Sequence, residues 1–178
     1  MHIEASPQET RTRNGATHVP TLTLDSLLEL PAAALGSLYA SAPAPRLADV
    51  SGDLRGRMLA WSALPSPLAT AVRALAGSDR FPWRGKSFAP RDADSGDGVN
   101  RLVSDRLRLF TFGTSIGPSR ADGAPALQLD YDHPGNPFFI RRIQDEMRQL
   151  APGLYLGQAY LVAGRPRLWL YFGLARPQ

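Results

Sequence analysis

Toward the C-terminus the apolar residues crowd into short runs bounded by turn formers. Leu154–Val162 and Arg167–Leu174 are separated by Gly164-Arg165 and follow Pro152-Gly153, which predicts a hairpin of two strands. In the second of these the leucines and Phe172 take one face, and Trp169 and Tyr171 the other. A strand that is apolar on both faces must be covered twice, once by a barrel interior and once by a packed helix. Just upstream, Phe139, Ile143, Met147 and Leu150 recur at helical spacing. With Pro137 to open it and Pro152-Gly153 to close it, Pro137–Leu150 reads as an amphipathic helix. Ala126–Asp132 precedes it as a strand, and Pro134-Gly135-Asn136-Pro137 turns the chain between the two.

The same reading runs back to the start of the chain. Gly52–Trp61 is a strand with Gly52, Leu54, Gly56 and Met58 on one face, where the small residues permit a bend. Ser66-Pro67 opens a helix that Gly77 ends, and Phe81–Phe88 is the next strand. Arg91–Gly98 reads as a loop, Val99–Val103 and Arg106–Ile116 as a hairpin, and Asp122-Gly123 as a further hairpin turn. Near the N-terminus, Leu24, Leu27, Leu28, Leu35 and Leu38 have helical spacing, but Pro31 interrupts them. Two short helices are expected, with Asp25 capping the first and Pro31 opening the second. About seven hairpin-linked strands with a few short helices predict a mainly β fold: a small antiparallel barrel or strongly curved sheet. Residues 1–20 are polar and rich in turn formers and read as a flexible arm before a single domain over 21–178.

Composition narrows the function classes. The 178 residues contain no cysteine, which removes disulfides, thiolate catalysis and cysteine metal sites, and is compatible with a cytoplasmic setting. No signal-peptide layout and no long apolar run is present, so no membrane span is expected. The net charge of +4 comes almost wholly from scattered arginines, without the concentrated basic stripe of a nucleic-acid binder. There are three histidines, and His2 and His18 lie in the arm, so a metal site is not expected. Neither a Gly-x-Gly-x-x-Gly run, a P-loop nor a Gly-x-Ser-x-Gly elbow occurs, and no cofactor is expected.

Candidate chemistry falls on a few positions. On the expected helix Glu146 flanks the apolar stripe and Asp145 projects to the opposite side, so Glu146 is the carboxylate that could reach an apolar interior as a general acid or base. The plainer reading of Glu146 is a surface pair with Arg142, one turn away. Asp130, in Asp130-Tyr131-Asp132-His133, could serve proton transfer beside His133 or simply turn the chain. Lys86 is the single lysine in an arginine-using chain, either a chemically required amine or a solvent-facing strand residue. Asn100 would mark a pocket if buried with partners, or sit in an exposed turn.

Several of these stretches carry a resemblance. Gly52-Asp-Leu-Arg-Gly56, Trp83-Arg-Gly-Lys-Ser-Phe88 and Asp130-Tyr-Asp132, followed by Pro137, Arg141-Arg142, Leu156-Gly157 and Leu170-Tyr-Phe172, resemble the GXWXG-type proteins in order and rough spacing. Those proteins carry a Gly-x-Trp-x-Gly segment, a Trp-x-Gly-Lys-x-Phe segment and a C-terminal Tyr-Asp domain of unknown function. Leu54 stands where the first segment has its Trp, and Asp145–Arg148 has no counterpart in the pattern. The resemblance implies a lipocalin-like barrel and adds weight to Lys86; it implies no activity.

The leading expectation is therefore a lipocalin-like barrel that binds a small apolar or amphipathic molecule, lined by Trp83, Phe110, Phe112, Tyr131, Arg142, Tyr155, Tyr160, Trp169 and Tyr171. The alternatives are an acid–base enzyme acting on such a ligand through Glu146, Asp130 and Lys86, and a protein-interaction module.

Overall fold

The computed structural model describes residues 22–62, 82–103 and 106–177. The expected arm and the expected helix after Ser66 lie outside the described residues.

Two short helices, α1 (Leu24–Leu28) and α2 (Ala32–Ser41), and a 3-10 turn at Leu47–Val50 lead into the sheet. Thr23, rather than Asp25, caps α1: its hydroxyl accepts from Ser26 N, and Ser26 answers through the Thr23 backbone. Pro31 opens α2 as expected. Eight strands follow: β1 (Gly52–Trp61), β2 (Trp83–Pro90), β3 (Ser95–Leu102), β4 (Leu107–Pro118), β5 (Pro125–Asp130), β6 (Ile143–Ala151), β7 (Leu154–Leu161) and β8 (Arg167–Ala175). Each pairs antiparallel with its neighbour in sequence, and β8 returns to β1, which closes the barrel. Closure leaves no strand edge among these eight.

The segment expected as a helix is where the structure departs furthest from the sequence pattern. Pro137–Leu150 forms a 3-10 turn at Ile140–Arg142 and then β6. Helical spacing of four apolar residues was compatible with alternation: Ile143, Asp145 and Met147 face inward, while Glu146 and Arg148 face outward beneath α2. Asp145, Glu146 and Arg148 are all buried, and each has a hydrogen-bond partner from another element.

Two cores result. Inside the barrel lie Leu54, Trp83, Phe88, Phe112, Leu127, Leu129, Met147, Tyr155, Leu170, Phe172 and Leu174, with Leu47 and Val50 packed on them at the end where β1 begins. Outside, α1 and α2 cover Leu59, Leu156 and Tyr171 with Leu24, Leu27, Leu35 and Tyr39. The two-sided burial expected for β8 is thus met by barrel interior and helices. Trp169 is the extra residue between the pairs Ala159–Leu170 and Tyr160–Leu168.

Bulges set which side chains enter the barrel. In β2 the pairing passes from Trp83–Leu102 to Gly85–Arg101, so Arg84 is an added residue. Strict alternation would put Trp83 and Lys86 on opposite faces. The added residue, with Gly85 at φ 132°, lets both point inward. In β4 Phe110 is the added residue between Val99–Thr111 and Asn100–Leu109, at φ 61°.

Candidate functional site

The strand ends at which β1 finishes and β2 begins surround a cavity of about 280 Å3. Its walls are Met58, Leu102, Phe110, Ile140, Ile143, Ala159, Trp169, Leu170 and Phe172, and its floor holds Trp83, Lys86, Asn100, Tyr131 and Asp145.

The floor is a polar cluster drawn from separate parts of the sheet. Lys86 Nζ donates to Asp145 Oδ2 at 2.9 Å, to Asn100 Oδ1 at 3.0 Å and to the Tyr131 hydroxyl. Trp83 Nε1 donates to Asn100 Oδ1 at 2.9 Å. With two unambiguous donors on that oxygen, the Asn100 amide orientation is fixed. Its nitrogen then donates to the Phe110 carbonyl at 3.2 Å, which the β4 bulge presents, and to Tyr131 Oη at 3.0 Å. Tyr131 Oη donates to Asp145 Oδ2 at 3.2 Å.

Lys86 is 2% exposed and Asp145 4% exposed, so their ion pair is shielded from water. The ammonium also lies 5.1 Å from the ring centres of Phe112, Tyr131 and Phe172 and 5.5 Å from that of Trp83. Those faces favour its charged form. Burial pushes the Lys86 ammonium below the usual lysine value, and the charge and hydrogen bond of Asp145 oppose the shift. Burial, and then the Asp145 charge, pushes the Tyr131 phenol well above its ordinary value.

Apart from Glu146, the expected site residues divide between four places. Trp83, Lys86, Phe110, Tyr131 and Trp169 line the cavity. Phe112 and Tyr155 belong to the barrel core; Phe112 lies under the Lys86 ammonium, and Tyr155 donates to the Asp49 carbonyl. Tyr160 and Tyr171 are buried, Tyr160 donating to Gln158 and Tyr171 packing beneath the helices. Arg142 and Asp130 are exposed; Asp130 accepts from Asp132 N in the turn.

Glu146 is buried but faces α2, not the cavity, because strand phase reverses the two neighbouring acids. It accepts from Ser119 Oγ at 2.6 Å and Arg120 N at 2.9 Å, and does not pair with Arg142. Beside it the buried Arg148 makes a two-pronged pair with Asp122 at 2.8 and 2.6 Å and donates to the carbonyls of Tyr39, Ala124 and Pro125. This second polar cluster ties the end of α2 to the β4–β5 turn. Asp145, set aside on helical phase, is the carboxylate that reaches the interior.

The tyrosines give the barrel a pH signature. All five (Tyr39, Tyr131, Tyr155, Tyr160 and Tyr171) are raised, each chiefly by burial. A phenol that holds its proton longer when folded contributes stability below about pH 10, and that contribution is lost as pH rises further. Absorbance at 295 nm is therefore expected to show tyrosinate forming at higher pH in the native protein than in the denaturant-unfolded chain, with a cooperative rise where the protein unfolds.

The fold and cavity define a class: a closed antiparallel barrel with an apolar cavity at one end and a buried ion pair at its floor. No family model and no curated protein matches the chain. A crystal structure of a protein from Thermomonospora curvata matches with a TM-score of 0.54 and 17% identity, over 86% of this chain and 93% of that one. At that identity the likeness establishes the fold alone. Among the described residues no helix is long and apolar enough to cross a membrane, and no cluster of His, Asp and Glu is placed to hold a metal.

Proposed function

We propose that this protein binds a small apolar or amphipathic molecule inside its barrel, in the manner of a lipocalin-like carrier. The observation that carries the reading is the 280 Å3 cavity whose walls are apolar and whose polar groups gather at one end. Such sites take most of their affinity from apolar burial and their orientation from a few placed polar groups. The run Trp83-Arg-Gly-Lys86, one of the stretches that resemble the GXWXG-type proteins, supplies two of the floor residues, Trp83 and Lys86. Two of the three tryptophans, Trp83 and Trp169, line the cavity, so its occupation is expected to alter intrinsic fluorescence. Native mass spectrometry of protein purified from its own host is expected to show a co-purified adduct that organic solvent removes. A bare protein mass, together with no fluorescence response to any apolar molecule of fitting size, would sink the reading.

One observation favours a second reading, acid–base chemistry on the bound molecule: an ammonium, a phenol and a carboxylate meet at the cavity floor. The interior carboxylate for that role is Asp145, in place of Glu146 or Asp130. Chemical change of a captured ligand on incubation with the protein separates the two readings.

A further inference from the structure

The hydrogen-bond pattern of the floor restricts the chemistry of what can bind there. Lys86 has three N–H donors, and three acceptors take them: Asn100 Oδ1, Tyr131 Oη and Asp145 Oδ2. Both N–H groups of the Asn100 amide are used, as are the Trp83 indole N–H and the Tyr131 O–H. Asn100 Oδ1 receives two donors, and so do Tyr131 Oη and Asp145 Oδ2. One group is left over. Asp145 Oδ1 is buried and has no hydrogen-bond partner, although Asp145 lines the cavity. A buried carboxylate oxygen without a donor is costly and uncommon in folded proteins, and it points to a partner that arrives with a ligand.

We infer that the cavity selects a neutral apolar molecule bearing one hydrogen-bond donor, an alcohol or phenol, whose O–H is taken by Asp145 Oδ1 once the side chains that cover this oxygen shift aside. This rests on the binding reading above and names its ligand class. An anionic head group such as a fatty-acid carboxylate finds no free donor at the floor, because every N–H and O–H there is already committed. It would also meet the Asp145 charge. A cationic head group would meet the Lys86 ammonium, held 2.9 Å from the other oxygen of the same carboxylate. A neutral O–H satisfies the open oxygen without adding charge to a shielded site. Size follows from volume: a cavity of roughly 150 Å3 accepts one benzene ring, so this one has room for roughly eleven heavy atoms. The aromatic walls, Phe110, Trp169 and Phe172, and Trp83 at the floor suit a planar or ring-bearing body.

The test is a matched panel on the intact protein, read by tryptophan fluorescence and calorimetry: 2-naphthol, its methyl ether, naphthalene and 2-naphthoate. The ring system is constant, and only the head group changes. 2-Naphthol is expected to bind about tenfold or more tightly than the ether, naphthalene or the carboxylate, since a hydrogen bond to a charged acceptor is being gained. In Asp145→Asn the advantage of the naphthol over its ether is expected to fall severalfold; the wild-type panel stands without the variant should that variant fail to fold. Equal binding of all four compounds, or a preference for the carboxylate, overturns this inference and leaves the binding reading intact. No binding by any of the four, or by larger and smaller apolar compounds, overturns both.

Discussion

Replacing Lys86 with Met is expected to destabilise the protein by about 3–5 kcal/mol, the usual effect of removing one member of a buried ion pair. For a chain of this size that is a fall in melting temperature on the order of 10 °C. The loss would not come from the lysine stem, because Met has a similar volume and the surrounding rings of Trp83, Phe112, Tyr131 and Phe172 still pack on it. It would come from Asp145, left with Tyr131 as its one hydrogen-bond donor in a site that is 4% exposed. Adding Asp145→Asn to Lys86→Met removes the stranded charge, so the double variant should recover much of the stability. Thermal melts of the wild type, two single variants and double variant measure the coupling. If the double variant is no more stable than Lys86→Met, the ion pair is not what the lysine contributes.

Gly85→Ala is expected to be more damaging still, by more than about 4 kcal/mol, enough to leave little folded protein. A Cβ at Gly85 would lie 2.1 Å from the Leu54 carbonyl oxygen and 2.7 Å from Gly56 N, both backbone atoms of β1. No rotamer change relieves a clash with backbone in a paired strand. Its φ of 132° is in addition a conformation that side chains disfavour. Gly113→Ala is the control: nothing lies within 4 Å of a Cβ there, and its effect should be small. Circular dichroism and chemical denaturation of the two variants make the comparison. A Gly85→Ala protein as stable as Gly113→Ala would mean that the bulge yields easily.

Much of the barrel could be read from sequence because its turns announce themselves. Asp122-Gly123 and Gly164-Arg165 lie between paired strands as expected, Pro152-Gly153 turns the chain between two strands where it was expected to close a helix, and Gly52–Trp61 has the expected bounds. Hairpin pairing is local, so local signals suffice for it. β6 was missed for a physical reason. Its inward face carries Asp145 and its outward face Glu146 and Arg148, so it lacks the alternation of apolar and polar positions that marks a half-exposed strand. Those polar residues tolerate burial because of partners elsewhere: Lys86 is 59 positions from Asp145, and Ser119 is 27 from Glu146. No window of sequence contains both members. The same limit explains Asn100, whose buried setting depends on Trp83 and Tyr131 from two other strands or their ends. Lys86 was legible by rarity, as the one lysine in the chain, but not by environment. The Arg84 bulge, which turns it inward beside Trp83, leaves one trace in the sequence, Gly85.

The Lys86–Asp145 contact joins β2 to β6, strands that do not neighbour each other around the barrel. It is therefore a strut across the lumen rather than a rung between adjacent strands. Backbone pairing fixes the circumference of a closed sheet but leaves it able to flatten toward two apposed layers. A short, charged crosspiece resists that deformation along one diameter. The cavity above it is thus braced across its width, and on the binding reading proposed above a guest would spend little of its affinity on holding the walls apart.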